Sequence, residues 1–277
     1  TEIKQLRERG VYVMLSVGGA TYPYPENFNA DGAYQLAEEL GCDGIDIDWE
    51  PLNKEPRVDA WATIIDSFYH QIENKLSSSY HQIEDNQMKL SAAVWSTGCM
   101  QPREGDRFRG MNIHGFTNKG EYLDWVNVMA YDCGSPLEIS PTGSFYCHRQ
   151  YYKGPMLFGF ETGKMGWGGY LTTKEDVQEG CLYAARDSKH NGTFIWSYLK
   201  SDFHNGVTRD FIVEESEKYF KVGKTEEKLF SVVVKRLGEV ITRIDRMLKG
   251  LEMLQEANQL TRDYLDEVME TLEENKI

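Results

Sequence analysis

Hydrophobic and polar positions alternate along the first 220 residues in a pattern typical of strands separated by helices. Strands that alternate with helices form βα units, whose strands pair in parallel. These strands are apolar on both faces, as burial in a closed parallel barrel requires. The pattern therefore predicts an α/β fold of the (β/α)8 TIM-barrel type with about six βα units. The predicted strands are VYVMLSVGG (11–19), DGIDIDWE (43–50), MKLSAAVW (88–95), DWVNVMAYD (124–132), PMLFGF (155–160) and GTFIWSY (192–198).

Helices are predicted before, between and after these strands, and Gly10 and Gly41 mark the ends of the first two. Their expected ranges are 1–9, 33–40, 58–76, 174–185 and 210–220. Together with the strands they define a first domain at 1–222.

The pattern changes after Gly223, where apolar residues follow a heptad repeat from Phe230 to Leu272. Six heptads in phase predict a coiled coil, so 223–277 is expected to be a separate helical segment. One long helix is the favoured interpretation, and a hairpin that bends at Gly250 is the alternative. The apolar seam predicts a homo-oligomer or a larger assembly through 230–272, and Asn258 at an a position favours a parallel dimer.

The second predicted strand carries acidic residues at alternate positions. Side chains two apart in a strand point to the same face, so Asp46, Asp48 and Glu50 form one row of carboxylates. Such a row is costly unless the acids share protons and hydrogen bonds, and proteins keep it mostly at functional sites. The spacing suggests that the deeper acids hold a proton while Glu50 meets a ligand. A metal site and a purely structural polar network remain open.

Composition narrows the possible partners. The net charge of −14 argues against nucleic acid and against an anionic membrane surface as partners. No apolar run is long enough to span a bilayer. Six Trp and sixteen Tyr suit core packing in the first place, and platforms for flat ligands such as sugar rings in the second.

Cysteine and histidine patterns predict no metal and no other cofactor. The five cysteines form no CxxC pair, and the six histidines are scattered without an HExxH motif. Free, partly buried thiols are the favoured interpretation, although Cys133 and Cys147 could form a disulfide across one loop in a secreted protein. GFETGK (159–164) is similar to a phosphate loop but has one residue too few between its glycines.

Four motifs resemble family 18 glycoside hydrolases, the chitinases and related endo-β-N-acetylglucosaminidases. DGIDIDWE (43–50) resembles the family's D-G-x-D-x-D-x-E signature, and SVGG (16–19) resembles its S-x-G-G strand. VMAYD (128–132) is similar to the M-x-Y-D strand, and Trp196 lies where the last barrel strand carries a sugar-platform tryptophan. The motifs follow the family's order over about 1–220.

The resemblance implies a retaining mechanism without a carboxylate nucleophile. Glu50 would be the general acid that protonates the glycosidic oxygen, while the substrate's own 2-acetamido oxygen attacks the anomeric carbon. Asp48 would orient the acetamido N–H and stabilise the positive charge. Asp46 would share a proton with Asp48, and Tyr131 would hydrogen-bond the acetamido carbonyl.

The resemblance also implies a sugar subsite. Trp196 would form its floor, and Ser16 and Asp43 would support the row of acids. The residues assigned to substrate binding are Trp196, Met129, Asp132, Ser16 and Gly18.

The function implied is hydrolysis of β-1,4-linked N-acetylglucosamine polymers such as chitin, by a secreted or extracellular protein. One alternative is a catalytically silent glycan-binding or structural component; the presence of Glu50 favours the enzyme. Another is an endo-β-N-acetylglucosaminidase acting on N-glycan cores, which shares the chemistry. The family's barrel has two strands before S-x-G-G, so an incomplete barrel is expected here.

Overall fold

A computed structural model describes most of the first 220 residues, and the predicted coiled coil lies outside the described residues. The described residues are 2–20, 28–50, 59–78, 88–103, 109–131, 133, 138–163, 171–187, 189, 191–197 and 204–220. Asp132 is also outside them. Among these residues no helix is both long enough and apolar enough to cross a membrane.

Six strands form one parallel sheet. They pair in the order β1-β2-β3-β4-β5-β6, so each strand lies beside the next one in the sequence. The strands are β1 (Met14–Gly18), β2 (Gly44–Asp48), β3 (Lys89–Trp95), β4 (Trp125–Met129), β5 (Met156–Glu161) and β6 (Gly192–Trp196). All six predicted strands and their parallel pairing are therefore confirmed.

Seven helices and one short 3-10 helix, Gly120–Tyr122, connect these strands within the described residues. The helices are α1 (Glu2–Glu8), α2 (Ala30–Leu40), α3 (Ala60–Ser78), α4 (Ile113–Lys119), α5 (Pro141–Tyr151), α6 (Lys174–Arg186) and α7 (Arg209–Phe220). The sequence pattern predicted five of them and missed α4 and α5. Helix α2 begins at Ala30, earlier than predicted, because the side chain of Asn29 accepts the Gly32 N–H and caps it.

The two faces of β2 have different roles. Ile45 and Ile47 are fully buried and belong to the same hydrophobic core as Trp61 of α3. Trp49, just after the strand, is also buried and packs edge-on against Trp61, with 5.6 Å between ring centroids. This apolar packing anchors β2 from one side and leaves the opposite face to Asp46 and Asp48.

Strand β1 ends in two glycines that lie against the end of β2. Gly18 has a φ of 121°, and an added Cβ would lie 2.8 Å from the carbonyl carbon of Asp48 and closer still to its oxygen. The Gly19 N–H donates a 2.6 Å hydrogen bond to the Asp48 carbonyl oxygen. Only glycine allows this close backbone approach, which fixes the end of β1 to the acidic strand.

The favoured prediction of free thiols was wrong for Cys99 and Cys147, and the alternative pair of Cys133 and Cys147 does not form. Cys147 of α5 forms a disulfide with Cys99, which follows β3, over a Cα–Cα distance of 5.6 Å. Cys133 is buried and is not part of a disulfide, and its Sγ donates to the Ala130 carbonyl oxygen at 3.4 Å. The sequence suggested a bridge between Cys133 and Cys147 because a single loop separates them. The fold instead brings Cys147 of α5 beside Cys99, in the segment after β3.

Candidate active site

Asp46 is the centre of a hydrogen-bond network that joins four neighbouring strands. Ser91 of β3 donates to its carboxylate at 2.5 Å, Asn127 of β4 at 2.9 Å, and Ser16 of β1 at 3.3 Å. Burial raises the pKa of Asp46, and the three hydrogen bonds partly offset that increase. The network therefore holds Asp46 in one orientation beneath the outer acids.

Asp48 lies between Asp46 and Glu50 on the same face. Burial raises its pKa from the ordinary value of 3.8 to about 8, and the neighbouring carboxylates of Glu50 and Asp46 add to the increase. Its Oδ1 is buried and has no hydrogen-bond partner among the described residues. Asp48 therefore retains a proton near neutral pH, and no described residue occupies its Oδ1, which can accept a hydrogen bond from a ligand.

Glu50 follows β2 and is only half-buried. The indole N–H of Trp95, at the end of β3, donates a 2.6 Å hydrogen bond to Glu50 Oε2. This bond connects the ends of two neighbouring strands and orients the outermost carboxyl group. An oriented, partly exposed carboxyl group above two deeper acids is able to exchange a proton with a bound molecule.

Aromatic rings from β4 and β6 form a second part of the site. Tyr131 is buried and stacks on Trp196, with ring centroids 5.7 Å apart and an interplanar angle of 13°. Phe194 contacts Tyr131 edge-on, with a centroid distance of 6.1 Å. Trp196 is 36% exposed, so part of its indole surface remains accessible beside a buried tyrosine.

The carboxyl ends of the parallel strands thus carry both a row of acids and an exposed aromatic surface, at the edge of the sheet where TIM-barrel active sites lie. The family model of Glycosyl hydrolases family 18 matches residues 1–156. The chain belongs to this family.

Individual relatives agree with this assignment. A class V chitinase of Arabidopsis thaliana is 24% identical over 147 residues, which cover 49% of this chain and 35% of the relative. The chain thus spans little more than a third of that relative's length. The GH18 chitinase from Cycas revoluta, solved in complex with (GlcNAc)3, and the chitinase-like agglutinin RobpsCRA from Robinia pseudoacacia are each 15% identical, with a TM-score of 0.55. Each alignment covers 79% of this chain and 84% of the solved chain, and these similarities indicate a shared fold.

Two other predicted site residues of this family 18 protein, Met129 and Gly18, have different surroundings. Met129 ends β4 and pairs in register with Trp95 of β3, on the face that carries the acids. Gly18 contacts the Asp48 backbone, which gives it a role in strand packing.

Asp43 lies apart from the acid network, contrary to its predicted supporting role. It precedes β2, accepts the Val13 N–H at 2.8 Å and pairs with Arg7 at 2.7 Å. These contacts fix the start of β2, at the end of the strand opposite Glu50.

Four polar or aromatic side chains at the site were not predicted from the sequence. Ser91, Trp95 and Asn127 occupy alternate positions of strands that were predicted from their apolar residues, so each lies on the face opposite the hydrophobic core. Polar residues inside SAAVW and WVNVM were the available signal. The fourth residue, Glu161, ends β5 as a buried carboxylate. In the described part of the chain, no three His, Cys, Asp or Glu side chains form a group that could hold a metal ion.

We expect Asp48 to make stability fall with rising pH. Because folding raises its pKa from 3.8 to about 8, the folded state binds this proton more tightly than the unfolded state between about pH 4 and pH 8. The stabilisation is therefore present below that range and is lost as the pH rises through it. Asp48→Asn has no such proton. The stability of the wild type relative to Asp48→Asn should decrease by at most about 1.4 kcal/mol per pH unit.

Urea unfolding of both proteins at several pH values measures this difference. His148, whose pKa burial lowers to about 4, is present in both proteins, so its opposite effect cancels. A difference that does not change with pH would show that Asp48 is ionised in the folded protein at neutral pH.

Proposed function

We propose that this protein is a glycoside hydrolase that cleaves β-1,4-linked N-acetylglucosamine polymers, such as chitin, by a retaining, substrate-assisted mechanism. The observation that carries the proposal is the row of Asp46, Asp48 and Glu50. In this row the middle acid retains its proton and the outer acid is oriented by Trp95. Membership of glycosyl hydrolases family 18 supports the same chemistry.

In the first step, Glu50 acts as general acid. Its proton passes to the glycosidic oxygen as the bond from that oxygen to the anomeric carbon breaks, and the leaving sugar departs as an alcohol. The carbonyl oxygen of the substrate's 2-acetamido group forms the new bond to the anomeric carbon, which gives an oxazolinium intermediate. Glu50 is then a carboxylate.

Asp48 supports this step through the acetamido group. Its buried Oδ1, which has no hydrogen-bond partner among the described residues, would accept the acetamido N–H. This hydrogen bond fixes the orientation of the acetamido group, so that its carbonyl oxygen faces the anomeric carbon. Asp46, held by three donors, shares a proton with Asp48 and so adjusts its charge as positive charge develops on the sugar.

The aromatic residues bind and align the sugar. The exposed face of Trp196 would support the sugar ring, while the Tyr131 hydroxyl would donate to the acetamido oxygen and hold it for attack. Met129 and Asp132 would line the same subsite.

In the second step, Glu50 acts as general base. It removes a proton from a water molecule as the water oxygen attacks the anomeric carbon and the bond to the acetamido oxygen breaks. Two inversions leave the product with the configuration of the substrate. No group outside the protein, the substrate and water is required.

The requirement for the acetamido group tests the proposal. We expect hydrolysis of chitotetraose and no measurable hydrolysis of cellotetraose, because the latter lacks the internal nucleophile. Tyr131→Phe should lower chitotetraose turnover by about tenfold or more, since one hydrogen bond to the reacting oxygen is lost. Product analysis by mass spectrometry measures both effects.

Comparable cleavage of cellotetraose would contradict the substrate-assisted mechanism. Cleavage of an N-glycan core in preference to chitotetraose would favour an endo-β-N-acetylglucosaminidase instead. Binding of chitotetraose without any cleavage would favour the catalytically silent glycan-binding protein.

A further inference from the structure

A further buried acidic residue, Glu161, lies at the carboxyl end of β5 outside the row of acids. Its side chain is 2% exposed, and it pairs in register with Trp196 of β6. In a parallel sheet, residues paired in register on adjacent strands point to the same face. Glu161 therefore lies beside the tryptophan on the face that Trp196 presents.

The position two residues earlier confirms which face this is. Gly159 pairs with Phe194, and a Cβ at Gly159 would lie 2.5 Å from the Phe194 ring. The Phe194 ring crosses the space left by this glycine and contacts Tyr131 edge-on. The face of β5 that carries Gly159 and Glu161 is thus the face on which the aromatic residues of the site are grouped.

Trp196 connects Glu161 to the aromatic part of the site. Glu161 pairs in register with Trp196, and Tyr131, which follows β4, stacks on the Trp196 indole. A ligand on the exposed part of the indole therefore lies next to the strand position of Glu161.

Backbone hydrogen bonds fix Glu161 relative to the tryptophan. The Glu161 N–H donates to Thr172 Oγ1 at 3.3 Å. The Thr162 N–H donates to the Trp196 carbonyl oxygen at 3.3 Å, and the Thr162 hydroxyl donates to the Ser197 carbonyl oxygen at 3.4 Å. The carboxylate and the indole are thus carried on backbone segments that are bonded directly to each other.

We propose that Glu161 is a sugar-binding residue whose carboxylate accepts a hydrogen bond from a hydroxyl or N–H group of the sugar that lies on Trp196. An aromatic surface binds the C–H face of a sugar ring, which leaves the polar groups at the ring edge in need of partners. A carboxylate at the same level as the indole supplies an acceptor there. This inference rests on the proposed function and extends it to substrate recognition.

The role assigned to Glu161 is binding, not proton transfer. Glu50 carries the reacting proton and is bonded to Trp95 of β3, which β4 separates from β5 and β6 in the sheet. Glu161 instead pairs in register with Trp196. Its loss is therefore expected to act on affinity and KM more than on the chemical step.

Chitotetraose binding by calorimetry tests the proposal in a Glu50→Gln background, in which the ligand is not consumed. Adding Glu161→Gln should weaken binding by about tenfold, because the amide has the same shape but replaces one acceptor oxygen with an NH2 group that only donates. Adding Glu161→Ala should weaken it further. Glu215→Gln is the matched control, since Glu215 is an equally buried glutamate on α7 that pairs with Lys218; it should leave affinity unchanged.

Thermal unfolding separates binding from a structural role. A binding role predicts that Glu161→Gln keeps the melting temperature of the unliganded parent and loses most of the increase caused by chitotetraose. A folded Glu161→Gln protein with the parent's affinity would overturn the proposal, and so would an equal loss of affinity in the Glu215→Gln control.

These experiments also distinguish a failure of the role proposed for Glu161 from a failure of the proposed hydrolase activity. If the wild type does not cleave chitotetraose but the parent binds it and Glu161→Gln weakens that binding, the hydrolase is wrong and the role of Glu161 stands. If the wild type cleaves it and Glu161→Gln binds normally, only the role of Glu161 is wrong. Absence of chitotetraose binding in the parent overturns the role of Glu161 directly.

Discussion

Replacing Glu50 by glutamine is expected to lower chitotetraose turnover by about 10²–10⁴-fold. The amide cannot supply the proton that the leaving oxygen needs, although it has nearly the same shape as the acid. Its carbonyl oxygen still accepts the Trp95 indole N–H that now bonds to Glu50. The folded structure and the affinity for the substrate should therefore remain, and the loss should fall on kcat.

A chromogenic chitooligosaccharide assay gives the rate, and thermal unfolding checks the fold. Glu39→Gln provides the control, because Glu39 is an exposed residue of α2. Turnover in Glu50→Gln within a factor of a few of the wild type would remove Glu50 from the mechanism. Equal losses in both variants would point to a general effect of charge.

Gly18→Ala should destabilise the protein by about 2–5 kcal/mol and disturb the site. At a φ of 121° an L-residue is strained, and the added Cβ would meet the backbone of Asp48, which has no flexible end that could move away. Either β1 must shift or Asp48 must, and Asp48 lies between the other two acids. Urea unfolding measures the loss of stability, and chitotetraose turnover measures the effect on the site.

Gly10→Ala separates backbone strain from the clash. Gly10 also has a positive φ, 78°, but a Cβ there would have no atom within 4 Å. Its substitution should cost about 1–2 kcal/mol from conformation alone. If the two variants are equally stable, the close approach of Gly18 to Asp48 does not restrict the residue at this position.

The strands were predictable because each one contains a short, dense apolar run, and that run determines burial in a parallel sheet. The two missed helices contain weaker signals. Helix α5 begins at Ser140 and Pro141, and the Ser140 side chain does cap it, accepting the Gly143 N–H at 3.0 Å. Its interior, however, contains a buried histidine, His148, which interrupts the amphipathic pattern.

Part of the site was also predictable from the sequence and part was not. The row of acids could be predicted from spacing alone, because alternate residues of one strand must share a face. Contacts between strands could not be predicted in this way, because they depend on the register in which the strands pair. Trp95 reaches Glu50 and Glu161 lies beside Trp196 only through pairings that the separate strand sequences do not specify. Asp43 was assigned to the site because it belongs to the acidic motif. Its place in the motif does not reveal that its side chain instead binds the backbone just before β1.

The consecutive strand order has a consequence for synthesis of the chain. All four strands that contribute to the Asp46 network precede β5 and β6, so a growing chain can complete this network once β4 has emerged. Trp196 follows Glu50 by 146 residues, which corresponds to about 7–30 s at roughly 5–20 residues per second. The ribosome therefore delivers the Asp46 network and Glu50 before the exposed indole of Trp196.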